Sequence, residues 1–267
     1  MNTQTAPRID GIPARAMFEQ PFTERTRTFL RLEQLFDRAH HAASRKGRWD
    51  SYHGAGTVLE ILALLNRGDL RSEILKEADR IGQSLRRMAD HAAVDTLALE
   101  AALKRVEEIR RHLLAGSSPD RALRENDFLT MIGQRLSIPG GTCGFDLPRL
   151  QAWMELPASD RLQHVEDWLA QLEPLKQGVC EILALYRESA EPARECASRG
   201  FFQHSFQPGA PVCQMLQVFV PEGTGIYPEI SGNRQRFTIR FMHLGDLSGQ
   251  ARPVREDVDF GLALCQL

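Results

Sequence analysis

The period of the hydrophobic residues changes once along this chain of 267 residues, close to Glu191-Pro192. Before that point apolar residues recur every three or four positions, which is the spacing of an amphipathic helix. After it apolar and polar residues alternate, and proline and glycine become frequent, as in strands joined by tight turns. We therefore expect an α+β protein, with a mainly helical domain over 16–190 followed by an antiparallel, sandwich-like β-domain over 191–267.

The helical domain is predicted to consist of several helices, each with one apolar face. The clearest stripe lies between Leu70 and Met88, where apolar residues stand three or four positions apart. Asp95 is suited to cap the next helix, because its short side chain can accept hydrogen bonds from the first free backbone N–H groups. A further helix is expected from near Ser159, with Pro174 either kinking or restarting it.

In the β-domain, three alternating segments and two turns can be predicted. The strands are Val212–Val220, Arg236–Leu244 and Val258–Cys265, and the turns are Pro221–Gly225 and Ser231–Asn233. Sandwich and small barrel are both compatible with this pattern, and we take the sandwich as the expectation.

The N-terminal residues differ from the helices that follow. Residues 1–15 contain no apolar run of the kind found in a secretory signal, and we expect them to form a flexible extension. For residues 16–22 two interpretations stay open. They form either a strand that joins the β-domain or part of the helical domain that follows them.

Composition and charge argue against several classes of protein. The formal net charge is only −2, whereas a general nucleic-acid binder needs a clear basic excess to contact phosphates. No stretch approaches the roughly 20 apolar residues of a membrane helix. Five widely spaced cysteines without a Cys-x-x-Cys pair indicate reduced thiols. We expect a cytoplasmic protein that binds neither nucleic acid nor membranes.

Residue types that carry catalysis or bind metals are present, but their spacing does not fit those functions. Cys143 lies in PGGTCG at 139–144, which lacks the Lys-Ser/Thr ending of a phosphate-binding loop and has no histidine near it in sequence. This segment is interpreted as a turn between two helices, with a functional loop as the alternative. The eight histidines are scattered, and His243 is interpreted as a core residue on the apolar side of a strand. We therefore predict no enzyme: no catalytic residue, no cofactor and no metal.

Two basic segments are candidates for binding a partner. RKGRW at 45–49 combines charge with an aromatic ring that can stack on a base, and a solvated loop is the alternative. In RFTIRFM at 236–242, alternation places Arg236 and Arg240 on one face and the phenylalanines on the other. The two arginines then stand about 13 Å apart along the strand, and Arg234 extends their line. The strip is either a solvated face, with its arginines paired to neighbouring glutamates, or a surface that recognises carboxylates.

Two long motifs are specific enough to compare with known families. The first is QRLSIPGG at 134–141, followed by Cys143 and by FDLP at 145–148. The second is YPEISG at 227–232, followed by RF at 236–237 and IRFM at 239–242. Both resemble the ZapD family of bacterial cell-division proteins, and weaker similarity extends over most of the chain in the same order. The extension at 1–15 and the basic insertion at 40–49 depart from the family pattern.

The resemblance implies a cytoplasmic homodimer at the midcell division ring, which binds the C-terminal tail of the tubulin-like GTPase FtsZ and bundles its filaments without catalysis. It implies that Arg236 and Arg240 contribute to the FtsZ contact, with Arg234 one repeat earlier. Arg67 matches a basic family position in the helical domain, and Arg31 falls in a motif near the dimer contact. The alternative is a nucleic-acid-binding regulatory protein that uses the basic loop together with the β-domain arginines.

Overall fold

The computed structural model describes residues 15–89, 95–115, 121–233 and 235–267. The chain forms two compact units, which we call the helical unit, Thr28–Ile182, and the β unit, made of residues 15–27 and Leu183–Leu267. The predicted α+β class, with helices followed by antiparallel strands, is confirmed. The extension expected at 1–15 lies outside the described residues, apart from its last position.

Eight helices occur in the described part of the chain. They are α1 (Glu24–Ala43), α2 (Arg48–Leu65), α3 (Leu70–Met88), α4 (Thr96–Leu114), α5 (Arg121–Arg124), α6 (Asp127–Leu136), α7 (Pro148–Met154) and α8 (Ala158–Glu188). The chain passes from one unit to the other within α1 and again within α8. Pro174 lies inside α8 and does not start a new helix.

α3 and α4 form where the sequence predicts them. The apolar stripe of α3 is buried through Ile74, Ala78, Ile81 and Leu85. Asp95 caps α4, because its Oδ1 accepts hydrogen bonds from the backbone N–H groups of Leu97 and Ala98 at 2.9 and 3.2 Å. Local sequence therefore determines both the buried face of α3 and the start of α4.

A buried arginine connects three segments of the helical unit. Arg161 of α8 is 6% exposed, and its guanidinium donates to the Ser51 hydroxyl of α2 at 3.3 Å. It also donates to the backbone carbonyl oxygens of Met154 and Leu156 at the end of α7. The last carbonyls of a helix have no partner within that helix, so Arg161 satisfies the carbonyl oxygen of the buried Met154.

The strands form two antiparallel sheets. They are β1 (Arg15–Pro21), β2 (Ala193–Ala197), β3 (Phe201–Ser205), β4 (Met215–Pro221), β5 (Ile226–Gly232), β6 (Arg236–His243), β7 (Arg252–Pro253) and β8 (Val258–Cys265). The first sheet has the order β1-β4-β8-β2. The second has the order β3-β6-β5, and the short β7 also pairs with β6. We refer to them as sheet A and sheet B.

Sheets A and B pack on one shared core, which makes the β unit a sandwich, as predicted. Phe237, Ile239 and Phe241 of sheet B are fully buried in this core with Phe260 of sheet A. The rings of Phe241 and Phe260 have their centroids 5.0 Å apart. Phe202 meets Phe260 edge to face at 5.2 Å, a favoured geometry for aromatic pairs.

The N-terminal segment, for which the sequence left two interpretations, is a strand of sheet A. β1 pairs with β4 along its whole length. Its Glu19 forms two hydrogen bonds of 2.8 Å with the guanidinium of Arg187 near the end of α8, and Gln217 Nε2 donates to the same carboxylate at 3.0 Å. The Glu19 and Arg187 side chains are only 14% and 12% exposed, so this ion pair is largely removed from water.

Two details of the predicted β-domain are wrong. Ser231 and Gly232 belong to β5, and the turn comes later, where Asn233 Oδ1 accepts hydrogen bonds from the backbone N–H groups of Gln235 and Arg236. His243 is exposed although it follows the inward-facing residues of β6, because it is the last residue of that strand. β2, β3, β5 and β7 were not predicted.

Replacement of Arg187 tests the buried ion pair. We expect Arg187→Met to lower the free energy of unfolding by about 3–5 kcal/mol, because it leaves the Glu19 carboxylate buried without its partner. The matched control is Arg194→Met, which removes an ion pair with Asp259 whose side chains are 55% and 54% exposed. That change should cost less than about 1 kcal/mol. Equal losses in urea denaturation would contradict the assignment.

Candidate functional site

β6 is the central strand of sheet B and directs two arginines outward. Exposure alternates along the strand: Phe237, Ile239 and Phe241 are buried, while Arg236 and Arg240 are exposed. The alternation predicted from the sequence is therefore present. The two arginines stand about 13 Å apart along the strand.

Aromatic and polar side chains flank these arginines on the same face of sheet B. Arg240 lies directly between Phe201 of β3 and Glu229 of β5. The next residue of β6 on the same face, Met242, lies opposite Tyr227 of β5. Phe201 is 43% exposed. We call Phe201, Tyr227, Glu229, Arg236 and Arg240 the β6 surface.

The guanidinium groups of Arg236 and Arg240 make no ion pair or hydrogen bond within the described residues. Glu229 stands opposite Arg240 in the strand register, yet the two side chains form no ion pair. Both cations are thus available to an external carboxylate, with little competition from neighbouring strands. Arg234, predicted to extend the line, lies outside the described residues.

Arg31 and Arg67 lie together in the helical unit. Arg31 of α1 and Arg67, which follows α2, line one cavity of about 360 Å³. Arg38 also lines this cavity, but its guanidinium forms a bidentate pair with Glu60 at 3.1 and 3.2 Å. The side chains of Arg31 and Arg67 have no partner among the described residues. That the two share a cavity could not be predicted from the sequence. Arg38 was not singled out either, although it stands seven residues from Arg31 on the same helix face.

The glycine-rich segment at 139–144 forms a compact turn between α6 and α7. Gly140 has a φ angle of 71°, in the left-handed region. A Cβ atom on Gly141 would lie 2.8 Å from the Arg135 carbonyl oxygen. The Thr142 hydroxyl is hydrogen-bonded to the Tyr52 hydroxyl of α2 at 2.8 Å, which anchors the turn to the helical unit. These contacts give the first motif a structural role.

The cysteines do not form a recognisable nucleophilic site in the described residues. Burial raises the pKa of the Cys213 and Cys265 thiols to about 12, so both stay protonated near neutral pH. Cys143 is exposed on the turn. In the same part of the chain no group of three or more His, Cys, Asp or Glu side chains is arranged to hold a metal ion.

No helix that the structure describes is long and apolar enough to cross a bilayer.

Comparison with known proteins gives a consistent class. Residues 30–240 match the family model described as ZapD, cell division protein. A cell division protein ZapD of Methylococcus capsulatus is 40% identical over 254 residues, which cover 94% of this chain and 98% of the relative. The protein of the same name from Escherichia coli is 35% identical over 249 residues, which cover 93% of this chain and 98% of the relative.

These matches define the class as bacterial cell-division proteins. The chain belongs to the ZapD family. The first motif that carried the resemblance runs from the end of α6 through the turn at 139–144 to the start of α7, and the second lies in β5 and β6.

Replacement of Gly141 tests the structural role of the turn. We expect Gly141→Ala to lower the free energy of unfolding by about 1–3 kcal/mol, because the added methyl group meets a backbone oxygen that cannot move away easily. The control is Gly56→Ala in α2, where a Cβ atom has no neighbour within 4 Å. That variant should be stabilised by about 0.5–1 kcal/mol. Thermal and urea unfolding check both values, and a neutral Gly141→Ala would contradict the tight packing.

Proposed function

We propose that this chain is a homodimeric, cytoplasmic cell-division factor that binds the C-terminal tail of FtsZ and crosslinks FtsZ filaments, promoting assembly of the midcell division ring. The observation that carries the proposal is the β6 surface, where Arg236 and Arg240 are exposed and have no partner among the described residues, and where Arg240 lies beside Phe201. Membership of a family of cell-division proteins supplies the biological setting.

The chemistry of the β6 surface suits a flexible peptide that carries carboxylates. Binding such a peptide must offset the entropy of ordering it, and charge-assisted hydrogen bonds from arginine are among the stronger polar contacts available. Phe201 and Tyr227 offer apolar area beside the charges. We expect an affinity in the micromolar range, about 8 kcal/mol, that weakens strongly with added salt because the arginines are exposed.

Crosslinking follows from two such surfaces in one dimer. A dimer with one tail site per subunit holds two filaments at once, and the second contact forms at a high effective concentration. Weak individual sites are therefore sufficient to bundle filaments. In this proposal the dimer contact includes Arg31.

Arg67 supplies a further basic contact for the tail in the helical unit, and Arg234 extends the strip on the β unit. For Arg67 the support is its exposed side chain, which has no partner among the described residues, and the cavity that it shares with Arg31. For Arg234 the support is its place in the sequence two residues before Arg236.

The alternative, a nucleic-acid-binding regulatory protein, has weaker support. In the basic segment at 45–49, Arg48 is paired with Glu155 at 2.7 Å, and the Trp49 ring packs edge to face on Tyr52 with centroids 5.5 Å apart. One cation of the loop is thus already neutralised. A net charge of −2 also opposes tight binding to phosphate backbones.

The double variant Arg236→Glu/Arg240→Glu tests the proposed contact. Both side chains are exposed and have no partner in the part of the chain that the structure describes, so the variant should fold and dimerise normally. It should bind the FtsZ tail at least about tenfold more weakly, because carboxylates now face carboxylates, and it should no longer bundle filaments. Co-sedimentation with FtsZ polymers measures the loss, and size-exclusion chromatography checks the dimer.

A matched control distinguishes the effect of where the charge is changed from the effect of the change in net charge. Arg252→Glu/Arg255→Glu makes the same change in charge on exposed residues of the β unit outside the β6 surface. It should bundle filaments like the parent chain. Equal bundling by the β6 variant would refute the contact. Tight DNA or RNA binding at physiological salt, without co-sedimentation, would favour the alternative.

A further inference from the structure

The turn between α2 and α3 encloses a second cavity in the helical unit, which we call the α2–α3 cavity. Its volume is about 560 Å³, and three arginines line it: Arg67, Arg71 and Arg124. This is within the size range of pockets that hold small molecules. Buried apolar side chains, Leu65 and Leu175, form part of its wall.

The lining of the α2–α3 cavity has an excess of positive charge. Asp69 is the only acidic residue among the described residues that line it. The Asp69 carboxylate is already engaged, because its Oδ1 accepts a hydrogen bond from the backbone N–H of Ser72 at 3.0 Å. Three arginines therefore line the cavity together with one carboxylate, and that carboxylate caps α3.

The three arginines differ in how they are held. Arg124 is fixed by the end of α2, where it donates to the side-chain oxygen of Asn66 and, at 3.1 Å, to the carbonyl oxygen of Leu65. The side chains of Arg67 and Arg71 have no ion pair or hydrogen bond within the described residues. One cation is thus preorganised at the wall, and two others can turn toward a ligand.

The N-terminus of α3, which lies at the cavity, also favours the binding of an anion. α3 is 19 residues long and begins beside the cavity at Leu70, so its positive dipole end lies at the wall. The backbone N–H of Arg71 has no hydrogen-bond partner among the described residues. A free amide at this place is a further donor for an anion.

The number of donors favours phosphate over a single carboxylate. A carboxylate has two oxygens and one charge, which one bidentate arginine largely satisfies. A phosphate group has three or more oxygens and up to two charges, and it matches several guanidinium groups and a helix amide at once. We propose that the α2–α3 cavity is a binding site for a small phosphate-bearing molecule. The cavity shares Arg67 with the proposed FtsZ contact, but the inference is tested at Arg71, which has no part in that contact.

Inorganic pyrophosphate is the probe that tests the site with the full-length chain. Calorimetric titration at low ionic strength should detect binding, and phosphorus NMR should show broadening of the pyrophosphate signal. Arg71→Gln should weaken binding by about tenfold or more, because it removes a charged donor without disturbing α2. The control is Arg87→Gln, the same change at the opposite end of α3, which should bind like the parent chain. Thermal unfolding without ligand checks that both variants are folded.

The outcomes distinguish the possible ligands. Absence of binding up to about 10 mM pyrophosphate would overturn the proposal, as would equal weakening by both substitutions. Binding of an acidic peptide such as oligoglutamate, without binding of pyrophosphate, would also overturn it and make the cavity a peptide site. A nucleoside diphosphate that binds more tightly than pyrophosphate would support the site and show that Leu65 and Leu175 contact the organic part of the ligand.

Discussion

Phe237, Ile239 and Phe241 are fully buried between the two sheets of the sandwich, and their burial decides where the neighbouring arginines point. Removing each such side chain from water contributes about 2 kcal/mol. A register shift of one residue would expose all three and bury Arg236 and Arg240 in their place, at a cost on the order of 6 kcal/mol before the buried charges are considered. That is comparable to the whole stability of a typical domain. β6 therefore supplies apolar side chains to the core of the β unit and, on its other face, the arginines of the β6 surface.

Strong periodic patterns could be read from the sequence, and contacts between distant segments could not. α3, β6 and β8 were predictable because each carries a long apolar pattern of one period. β5 is an edge strand interrupted by Pro228, and only pairing with β6 makes it a strand, so its residues Ser231 and Gly232 resembled a turn. β1 is held by β4, about 200 residues away, and by the ion pair of Glu19 with Arg187, neither of which local sequence contains.

The same distinction between local patterns and distant contacts applies to the candidate sites. Alternation within β6 located Arg236 and Arg240, but it did not show that both lack partners among the described residues, because this depends on side chains of the neighbouring strands. Arg31 and Arg67 were singled out separately through the family resemblance, and packing of the helical unit brings them to one cavity. Arg71 and Arg124 carried no local pattern at all, because the feature that distinguishes them is the space that they enclose with the start of α3.

The β6 surface and the α2–α3 cavity are two different kinds of basic site. The β6 surface is open and flanked by aromatic side chains, which suits a peptide lying across strands. The α2–α3 cavity lies at the turn between two helices, is partly open to solvent, and has three arginines around a small volume, which suits a compact anion. The turn at 139–144, although it carries the most distinctive motif, is accounted for by its close packing against α2 and α6.

The central claim, that the β6 surface receives the FtsZ tail, is tested most directly by mapping where the isolated tail peptide binds. Titration of the isotopically labelled full-length chain with that peptide, followed by backbone amide shifts, locates the contact without filaments or bundling. We expect the largest changes in β3, β5 and β6 around Arg236 and Arg240, and we expect them to diminish with added salt. Changes confined to the helical unit, with β6 unaffected at saturating peptide, would contradict it.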